Sequence, residues 1–361
     1  MITERLQRAA FEAQVCMRPG FWISKNGYLW KHWRTFQEEL HVDIAKGGKG
    51  RGRLREIARS LKSLPKTRVV RVGEHKAKMT ERARFSSDMI VIPSDGGLIF
   101  FDEIRGSLIR YYGFGVVTPE QESERRTWQT FVNAPGFTVS HCRQFIEEQL
   151  LEGKHIRDLS AGDAKSVVGT ICQDYTRLAQ HMQDQGADEG SHCKCQAVDL
   201  NDALGKGFLQ SVEDDFFKRF LGELLEIRDV INTTYVPSGS DNSPHNAVIT
   251  QSGYHFIDTF PVLERAAFVH PLGVVAGWSV YSKATLAGFL NGDLDAVVVP
   301  LLEVSGLDIS LTKRTRFAIL LLAIALPSLS KNSYSHSMKT PAEFFNWLGR
   351  AYQLRDMKAF F

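Results

Sequence analysis

Strand-like segments and helix-like segments are grouped along this sequence. Three short runs rich in β-branched and aromatic residues, DMIVIP, GLIFFD and SLIRYYG, lie between Asp88 and Gly113. A helix-like stretch, PEQESERRTWQTF, and a strand-like run, FIEEQ, follow before Gly153. The rest of the chain is mainly helical in its pattern. The sequence therefore predicts an α+β fold, with a small β-rich part and a larger helical part.

The helical part is predicted from four segments. Residues 161–182 and 208–231 repeat apolar side chains at helical spacing, which indicates two long helices. The run FAILLLAIAL, which begins at Phe317, is about half as long as a membrane span. We therefore expect it to form a buried core helix. The capping-box pattern TPAE at residues 340–343 predicts the start of a final helix.

The charge of the chain is small overall but unevenly distributed. The 361 residues carry a net charge of +3. Residues 45–84 contain 14 Lys or Arg and 3 Asp or Glu, a net charge of +11, so the other residues together carry −8. Residues 52–64, GRLREIARSLKSL, predict a basic amphipathic helix. Two interpretations are open: contact with an anionic partner (nucleic acid, an anionic membrane or a protein), or a solvated helix packed on the next domain.

The cysteines favour a reducing compartment. Five cysteines are spread over a long chain, and an odd number does not indicate a disulfide framework. The polar N-terminus, MITERLQRAAFEAQ, does not predict a signal peptide, and we expect no transmembrane segment and a cytoplasmic location. The cluster SHCKC, with His192, Cys193 and Cys195, lacks a second Cys/His pair at zinc spacing. A metal site, a redox-active pair and an ordinary loop are all open interpretations.

The stretch SGSDNSPHNAVITQSGYHFID, residues 238–258, contains candidate metal-binding residues. NAVIT and YHFID predict a β-hairpin joined by QSG. Since a hairpin brings its ends together, we expect Asn246 and Asp258 to be neighbours, with Asp241 above them. Two carboxylates and an amide oxygen suit Mg²⁺, which commonly also holds substrate phosphates. The alternative is a polar loop rich in Ser, Asn, Gly and Pro.

SDNSPHN followed by FID resembles the catalytic and metal-binding stretch of the aminoglycoside phosphotransferase and choline kinase families, which have a protein-kinase-like fold. The family pattern is His-Gly-Asp-x-His-x-x-Asn, a hairpin and then Ile-Asp. The resemblance implies ATP and Mg²⁺ as cofactors and a small-molecule acceptor. It also implies that Asp241 is the catalytic base and that Asn246 and Asp258 are metal ligands. The resemblance covers residues 85–330.

The flanking segments occur in the family's order. FIEEQLLEG is similar to the hinge between the two lobes, so backbone groups around Glu148 and Leu150 would meet the adenine. ESERRTWQTF resembles the N-lobe helix, and its Glu124 would pair with the cation of the third strand, Arg110. The alternative for Arg110 is an exposed strand arginine. The resemblance implies a kinase-like N-lobe with hinge (85–153) and a helical C-lobe (154–361). The charge and the helical pattern of residues 1–84 predict a separate basic helical N-terminal extension.

The sequence also departs from the family pattern. Gly239 and Ser240 stand where the pattern has His and Gly, and Ser243 stands at the second His. Arg110 replaces a Lys, and an Arg is not equivalent to a Lys at a phosphate. The SDGG turn at residues 94–97 is shorter than a kinase Gly-rich loop. A pseudokinase-like binding or scaffold protein, using its basic N-terminal segment, is therefore the alternative to an active phosphotransferase.

Four histidines have no evident partner in the sequence and are expected to be ordinary surface or core residues: His141, His155, His181 and His270.

Overall fold

The computed structural model describes residues 15–17, 20–25, 29–32, 68–72, 85–87, 89–91, 98–102, 106–111, 117–141, 143–188, 195–199, 230–239, 246–257, 262–279, 283–307, 310–313, 315–317, 319–320 and 323. The chain divides into two compact units. The first comprises Met1–Pro119 and Pro135–Leu151, and the second comprises Glu120–Ala134 and Glu152–Phe361. The described elements of the first unit are strands, and the second unit combines helices with strands, in keeping with the predicted α+β class.

The first unit contains ten described strands. They are β1 (Val15–Met17), β2 (Gly20–Lys25), β3 (Leu29–His32), β4 (Arg68–Val72), β5 (Phe85–Ser87), β6 (Met89–Val91), β7 (Leu98–Asp102), β8 (Ser107–Tyr111), β9 (Phe137–Val139) and β10 (Phe145–Gln149). Eight of them form one antiparallel sheet in the order β4-β2-β3-β6-β7-β8-β10-β9, and β1 pairs with β5 in parallel.

The strands predicted after Asp88 are confirmed. DMIVIP forms β6, GLIFFD forms β7, SLIRYYG forms β8 and FIEEQ forms β10. Because β6 and β7 are antiparallel neighbours, with Met89 opposite Phe101, the chain turns back between them as the SDGG pattern suggested. The SDGG residues themselves lie outside the described part of the chain.

The segment predicted as a helical extension contributes strands to the sheet, which corrects that prediction. β2, β3 and β4 all lie within residues 1–84, and β3 pairs with β6, Leu29 opposite Val91. These strands are rich in aromatic and β-branched residues (GFWISK, LWKH and RVVRV), and such residues favour a pleated sheet. The helix predicted over residues 52–64 lies outside the described residues.

The second unit contains helices and two small sheets. Its described elements are α1 (Pro119–Phe131, which begins in the first unit), β11 (Lys154–His155), a 3-10 turn (Ile156–Asp158), α2 (Ala161–Asp188), β12 (Cys195–Asp199), β13 (Val230–Gly239), β14 (Ala247–Thr250), β15 (Gly253–Phe256), β16 (Val262–Ala266), α3 (Val269–Ser279), α4 (Lys283–Asn291) and α5 (Asp295–Val304). One sheet has the order β11-β14-β15 and the other β12-β13-β16.

Helix α2 is the centre of the second unit's core. Its apolar face buries Val168, Ile171, Tyr175 and Leu178, as the helical spacing predicts. The helix packs against α3, α4 and α5. Burial of four large side chains at roughly 1.5–3 kcal/mol each explains why a helix of this length is stable here. Helix α1 coincides with the predicted stretch PEQESERRTWQTF.

One prediction for the middle of the chain is wrong. Residues Val230 and Ile231, predicted as the end of a long helix, begin strand β13. Helix α2 ends at Asp188, beyond the predicted residue 182, and Cys195 begins β12. Pairing of β13 with both β12 and β16 supplies the backbone hydrogen bonds that make the extended form stable. The predicted helix residues 208–229 lie outside the described chain.

The apolar run near the C-terminus is buried. Phe317, Ile319, Leu320 and Ala323 are core residues and are helical, which confirms the prediction for the described residues of this run. The helix predicted after Thr340 lies outside the described residues.

No single described helix is long and apolar enough to span a membrane, although the pair Ala284–Asn291 and Asp295–Val304, bent by 64°, passes that test by length and composition.

Candidate functional site

The predicted hairpin is present as β14 and β15. Its register places Ala247 opposite Phe256 and Thr250 opposite Gly253. Gly253 has φ +115°, a backbone conformation that favours glycine at the end of this two-residue turn. The hairpin is closed at its base, where the Ile257 N–H donates to the Asn246 carbonyl oxygen at 2.7 Å. Asn246 therefore lies opposite the residue that precedes Asp258.

Three further contacts hold this hairpin in the second unit. The Phe256 N–H donates to the Asn133 carbonyl oxygen at 2.9 Å, which fixes β15 to the chain after α1. The buried Tyr254 hydroxyl donates to the carboxylate of Asp174 on α2. On the other side, β11 pairs with β14. The backbone of Asn246, at the base of this hairpin, is thus held in place by the second unit.

A buried polar cluster lies beside the hairpin. The Trp128 Nε1–H donates to the Tyr175 hydroxyl at 3.0 Å, and that hydroxyl lies 3.0 Å from Ser238 Oγ. Ser238 Oγ in turn lies 2.8 Å from His270 Nδ1. The His270 ring packs edge-on against Phe256, with ring centroids 4.4 Å apart. We call these five residues, Trp128, Tyr175, Ser238, Phe256 and His270, the His270 cluster.

Burial sets the protonation of this cluster. His270 is 1% exposed, and burial lowers the pKa of its imidazole to about 3. The nearby positive charge of Arg265 lowers this pKa further, and the Gly239 backbone opposes the shift. Burial also raises the pKa of the Tyr175 hydroxyl, although hydrogen bonds from Ser238 and Trp128 oppose the shift. The cluster is therefore neutral over the physiological pH range.

The sequence did not indicate a partner for His270, and the structure corrects this. Ser238 is 32 residues away along the chain, and Trp128 belongs to a different helix. His181 also has an aromatic neighbour, Phe131, at 4.9 Å between ring centroids. Local sequence patterns carry no signal for such contacts, because they depend on how distant elements pack. His141 is exposed and His155 half-buried, as expected of ordinary histidines.

Arg110 and Glu148 lie on the same face of the large sheet. Arg110 on β8 is opposite Ile146 on β10, and Glu148 follows two residues later on β10. Residues related in this way are diagonal neighbours, within reach of long side chains. Arg110 is 6% exposed and Glu148 3% exposed, so the interpretation of Arg110 as an exposed strand residue is wrong. The sheet therefore buries one positive and one negative side chain on this face.

The predicted hinge ends in backbone hydrogen bonds within the first unit. The Leu150 N–H donates to the Gly106 carbonyl oxygen at 2.7 Å, and the Gln149 N–H donates to the Gly136 carbonyl oxygen at 3.2 Å. These two N–H groups are thus engaged by the chain itself. Glu124 lies on α1, half-buried, within the second unit.

The remaining predicted ligands are not described. Asp241 and Asp258 lie outside the described residues, as do His192 and Cys193, while Cys195 is described as the first residue of β12. In the part of the chain that the structure covers, no group of three His, Cys, Asp or Glu side chains could hold a metal ion. The side chains of the basic residues 45–84 also fall outside it, so an anionic partner for this segment stays a prediction.

Comparisons with known proteins found similarities among solved structures only. No family model matches the sequence, and no curated protein matches it. Among solved structures, an ethanolamine kinase from Plasmodium vivax is 13% identical, with a TM-score of 0.38; the match covers 75% of this chain and 82% of that one.

Two further structures match over similar lengths. A choline kinase from Cryptosporidium parvum is 11% identical, covering 75% of this chain and 88% of that one, with a TM-score of 0.40. An aminoglycoside phosphotransferase from Alicyclobacillus acidocaldarius is 13% identical, covering 75% and 89%, with a TM-score of 0.35. These neighbours are of the families that the stretch around Asp241 resembles.

Proposed function

We propose that this protein is a phosphotransferase that moves the γ-phosphoryl group of ATP to a hydroxyl group of a small molecule. The observation that carries the proposal is the closed base of the β14–β15 hairpin. The Ile257 N–H bonds to the Asn246 carbonyl at 2.7 Å, so the backbone of Asn246, the proposed metal ligand, lies opposite the residue before Asp258. Adjacent strands are only about 5 Å apart, a spacing compatible with two ligands of one ion.

The donor set fits magnesium. Asn246 offers an amide oxygen and Asp258 a carboxylate, and Mg²⁺ prefers oxygen ligands together with water and phosphate oxygens. In the proposal these two residues hold the ion. When bound, Mg²⁺ supplies positive charge that neutralises the phosphate oxygens of ATP.

Asp241 is the proposed catalytic base. Phosphoryl transfer asks little covalent chemistry of a protein, and most of the rate comes from positioning and charge stabilisation. Asp241 would accept a hydrogen bond from the acceptor hydroxyl, orient its oxygen and take its proton as the new bond to the γ-phosphorus forms. The bond from that phosphorus to the β,γ-bridging oxygen breaks, and ADP leaves with the electron pair. It follows Ser238 by three residues, and Ser238 is fixed in the buried cluster.

The nucleotide-binding roles are assigned to the first unit and to α1. Arg110 would neutralise phosphate charge, and Glu124 would orient a cation, as the family resemblance implies. Because the Leu150 N–H already bonds to Gly106, the adenine contact from Leu150 is assigned to its carbonyl oxygen. The side chain of Glu148 is buried, and its backbone lies in the ladder between β8 and β9, so we assign Glu148 no direct contact with the nucleotide.

The metal assignment is tested by ligand-linked stability. At 100 times Kd, Mg²⁺·ATP should stabilise the wild type by about 2.7 kcal/mol, a rise in Tm of roughly 5 °C. Asp258→Ala should lose the magnesium-dependent part of this shift. Asp184→Ala, which removes an exposed carboxylate on α2, should keep it. Absence of any shift in the wild type at millimolar nucleotide, or an equal shift in Asp258→Ala, would refute the proposal.

Turnover separates an active enzyme from a nucleotide-binding scaffold. Wild type should hydrolyse ATP slowly in the absence of acceptor, since water can replace the hydroxyl, and Asp241→Ala should bind Mg²⁺·ATP but not turn it over. Binding without turnover in the wild type would favour the scaffold alternative.

A further inference from the structure

We propose that Ser238 and His270 are positioning residues that hold together the two chain segments leading to Asp241 and Asp258. The inference rests on the proposed function for its catalytic consequence. It goes beyond that function because neither residue belongs to the family pattern from which the base and metal ligands were assigned.

His270 contacts both segments. Its Nδ1 lies 2.8 Å from Ser238 Oγ, on the strand β13 that runs toward Asp241. Its ring lies edge-on to Phe256, at 4.4 Å between centroids, on the strand β15 that runs toward Asp258. Asp241 is three residues beyond Ser238, at most about 11 Å along the chain, and Asp258 is two residues beyond Phe256, at most about 7 Å. The cluster would therefore act over short lengths of backbone.

The Ser238 hydroxyl has two hydrogen-bond partners. The Tyr175 hydroxyl on α2 lies 3.0 Å from its oxygen, and Nδ1 of His270 on α3 lies 2.8 Å from the same oxygen. Trp128 on α1 donates to Tyr175 and completes a hydrogen-bonded path through four elements. All of these side chains are buried, so water does not replace a lost partner easily and each bond restricts the geometry strongly.

His270 makes its hydrogen bond to Ser238 and its ring contact with Phe256 as a neutral imidazole. A charged imidazole at this depth, beside the positive Arg265, would be strongly disfavoured. The neutral ring offers one nitrogen to Ser238 and an apolar edge to Phe256 at the same time. Among the hydrogen bonds of Ser238 and the ring contacts of Phe256, His270 is the residue common to both, so His270 joins the two segments.

The variants are chosen to remove the bond while keeping the packing. Ser238→Ala removes the hydroxyl, and His270→Phe keeps an aromatic ring against Phe256 but loses Nδ1. The matched control is Ser305→Ala, because Ser305 is equally buried and its hydroxyl bonds to a helix carbonyl, Leu301, at 2.6 Å. The control therefore loses one buried serine hydrogen bond that is not part of the cluster.

The first measurement is amide hydrogen exchange without nucleotide. Ser238→Ala and His270→Phe should speed exchange in residues 236–239 and 254–257 by roughly five- to tenfold, as expected for the loss of one net hydrogen bond. Ser305→Ala should leave these two segments unchanged relative to the wild type. Equal exchange of these segments in Ser238→Ala and Ser305→Ala would overturn the inference, whether or not the protein is a kinase.

The second measurement is turnover of Mg²⁺·ATP. Ser238→Ala should lower kcat by roughly ten- to hundredfold, since small displacements of a base are costly, and should leave KM for ATP within about threefold. A purely structural role would lower the amount of folded enzyme without changing kcat per folded molecule. A wild type that neither binds nor hydrolyses ATP would defeat the proposed function alone, because the exchange measurement still decides the positioning role.

Discussion

Acidification should destabilise this protein through one buried side chain, His270. In the folded protein burial holds the imidazole pKa at about 3, and Arg265 adds to the effect. In the unfolded chain it is about 6.5. Between these values the unfolded state binds a proton that the folded state does not, so stability rises with pH and is lost as pH falls from about 6.5 toward 3.

The magnitude follows from the size of the shift. Each pH unit inside this window is worth about 1.4 kcal/mol for one proton. Between pH 7 and pH 5 the His270 contribution to the free energy of unfolding should therefore fall by about 2 kcal/mol. No discount for solvent screening is needed, because the ring is buried.

The assay is urea unfolding at both pH values, followed by tryptophan fluorescence. His270→Phe is the comparison, since it removes the titrating group and keeps an aromatic ring. All other titrating groups are shared, so the change in the difference between the two proteins isolates His270. If that difference in unfolding free energy were the same at pH 5 and pH 7 within about 0.5 kcal/mol, the burial argument would be refuted.

Two further predictions concern packing and reactivity. Gly153→Ala should lower the free energy of unfolding in urea by about 1–3 kcal/mol, because a Cβ there would overlap the Ile249 backbone oxygen. Gly162→Ala, where a Cβ would have nothing near it, should be neutral or slightly stabilising. Equal effects of the two substitutions would contradict the clash at Gly153. Cys172 is buried, and burial raises the pKa of its thiol to about 12, so wild type and Cys172→Ala should react with a thiol reagent equally when native and differ by one thiol when unfolded. A native difference of one thiol would show that Cys172 is accessible.

Periodicity predicted the elements whose stabilising contacts repeat along the chain. The apolar residues of α2, such as Val168, Ile171 and Leu178, recur every three or four positions and are all buried. Strands β6, β7 and β8 were predicted because each is a compact β-branched and aromatic run next to a turn. Local patterning was sufficient where the neighbours in space are also neighbours in sequence.

Strand β13 shows where such patterns fail. Its residues, VINTTYVPSG, are rich in β-branched side chains, but a helical period running up to residue 231 masked that cue. What makes the segment extended is its pairing with β12 and β16, whose residues are distant in sequence. The same holds for β3, which pairs with β6, and for β4, which pairs with β2, because in each pair the partner strand is distant in the sequence.

The candidate site was predictable to a similar extent. The spacing of Asn246 and the hairpin predicted which backbone ends would meet, because a hairpin is a local structure. Ser238 and His270 were not predicted as partners, since their contact requires β13 and α3 to be packed together. The burial of Arg110 was missed for the same reason, because the residues that cover a strand are distant from it in the sequence.

The path from Trp128 to His270 also has a consequence for folding. Its three hydrogen bonds join residues 47, 63 and 32 positions apart, whereas the β14–β15 hairpin closes over a two-residue turn. Contacts that close long loops form late, because the chain loses conformational entropy on closure before the contact stabilises it. We expect the hairpin to exist early on the folding path and the segment before Asp241 to be placed last. If Asp241 is the base, its correct placement would then mark complete folding of the second unit. Partly folded chains would carry the β14–β15 hairpin without an aligned Asp241.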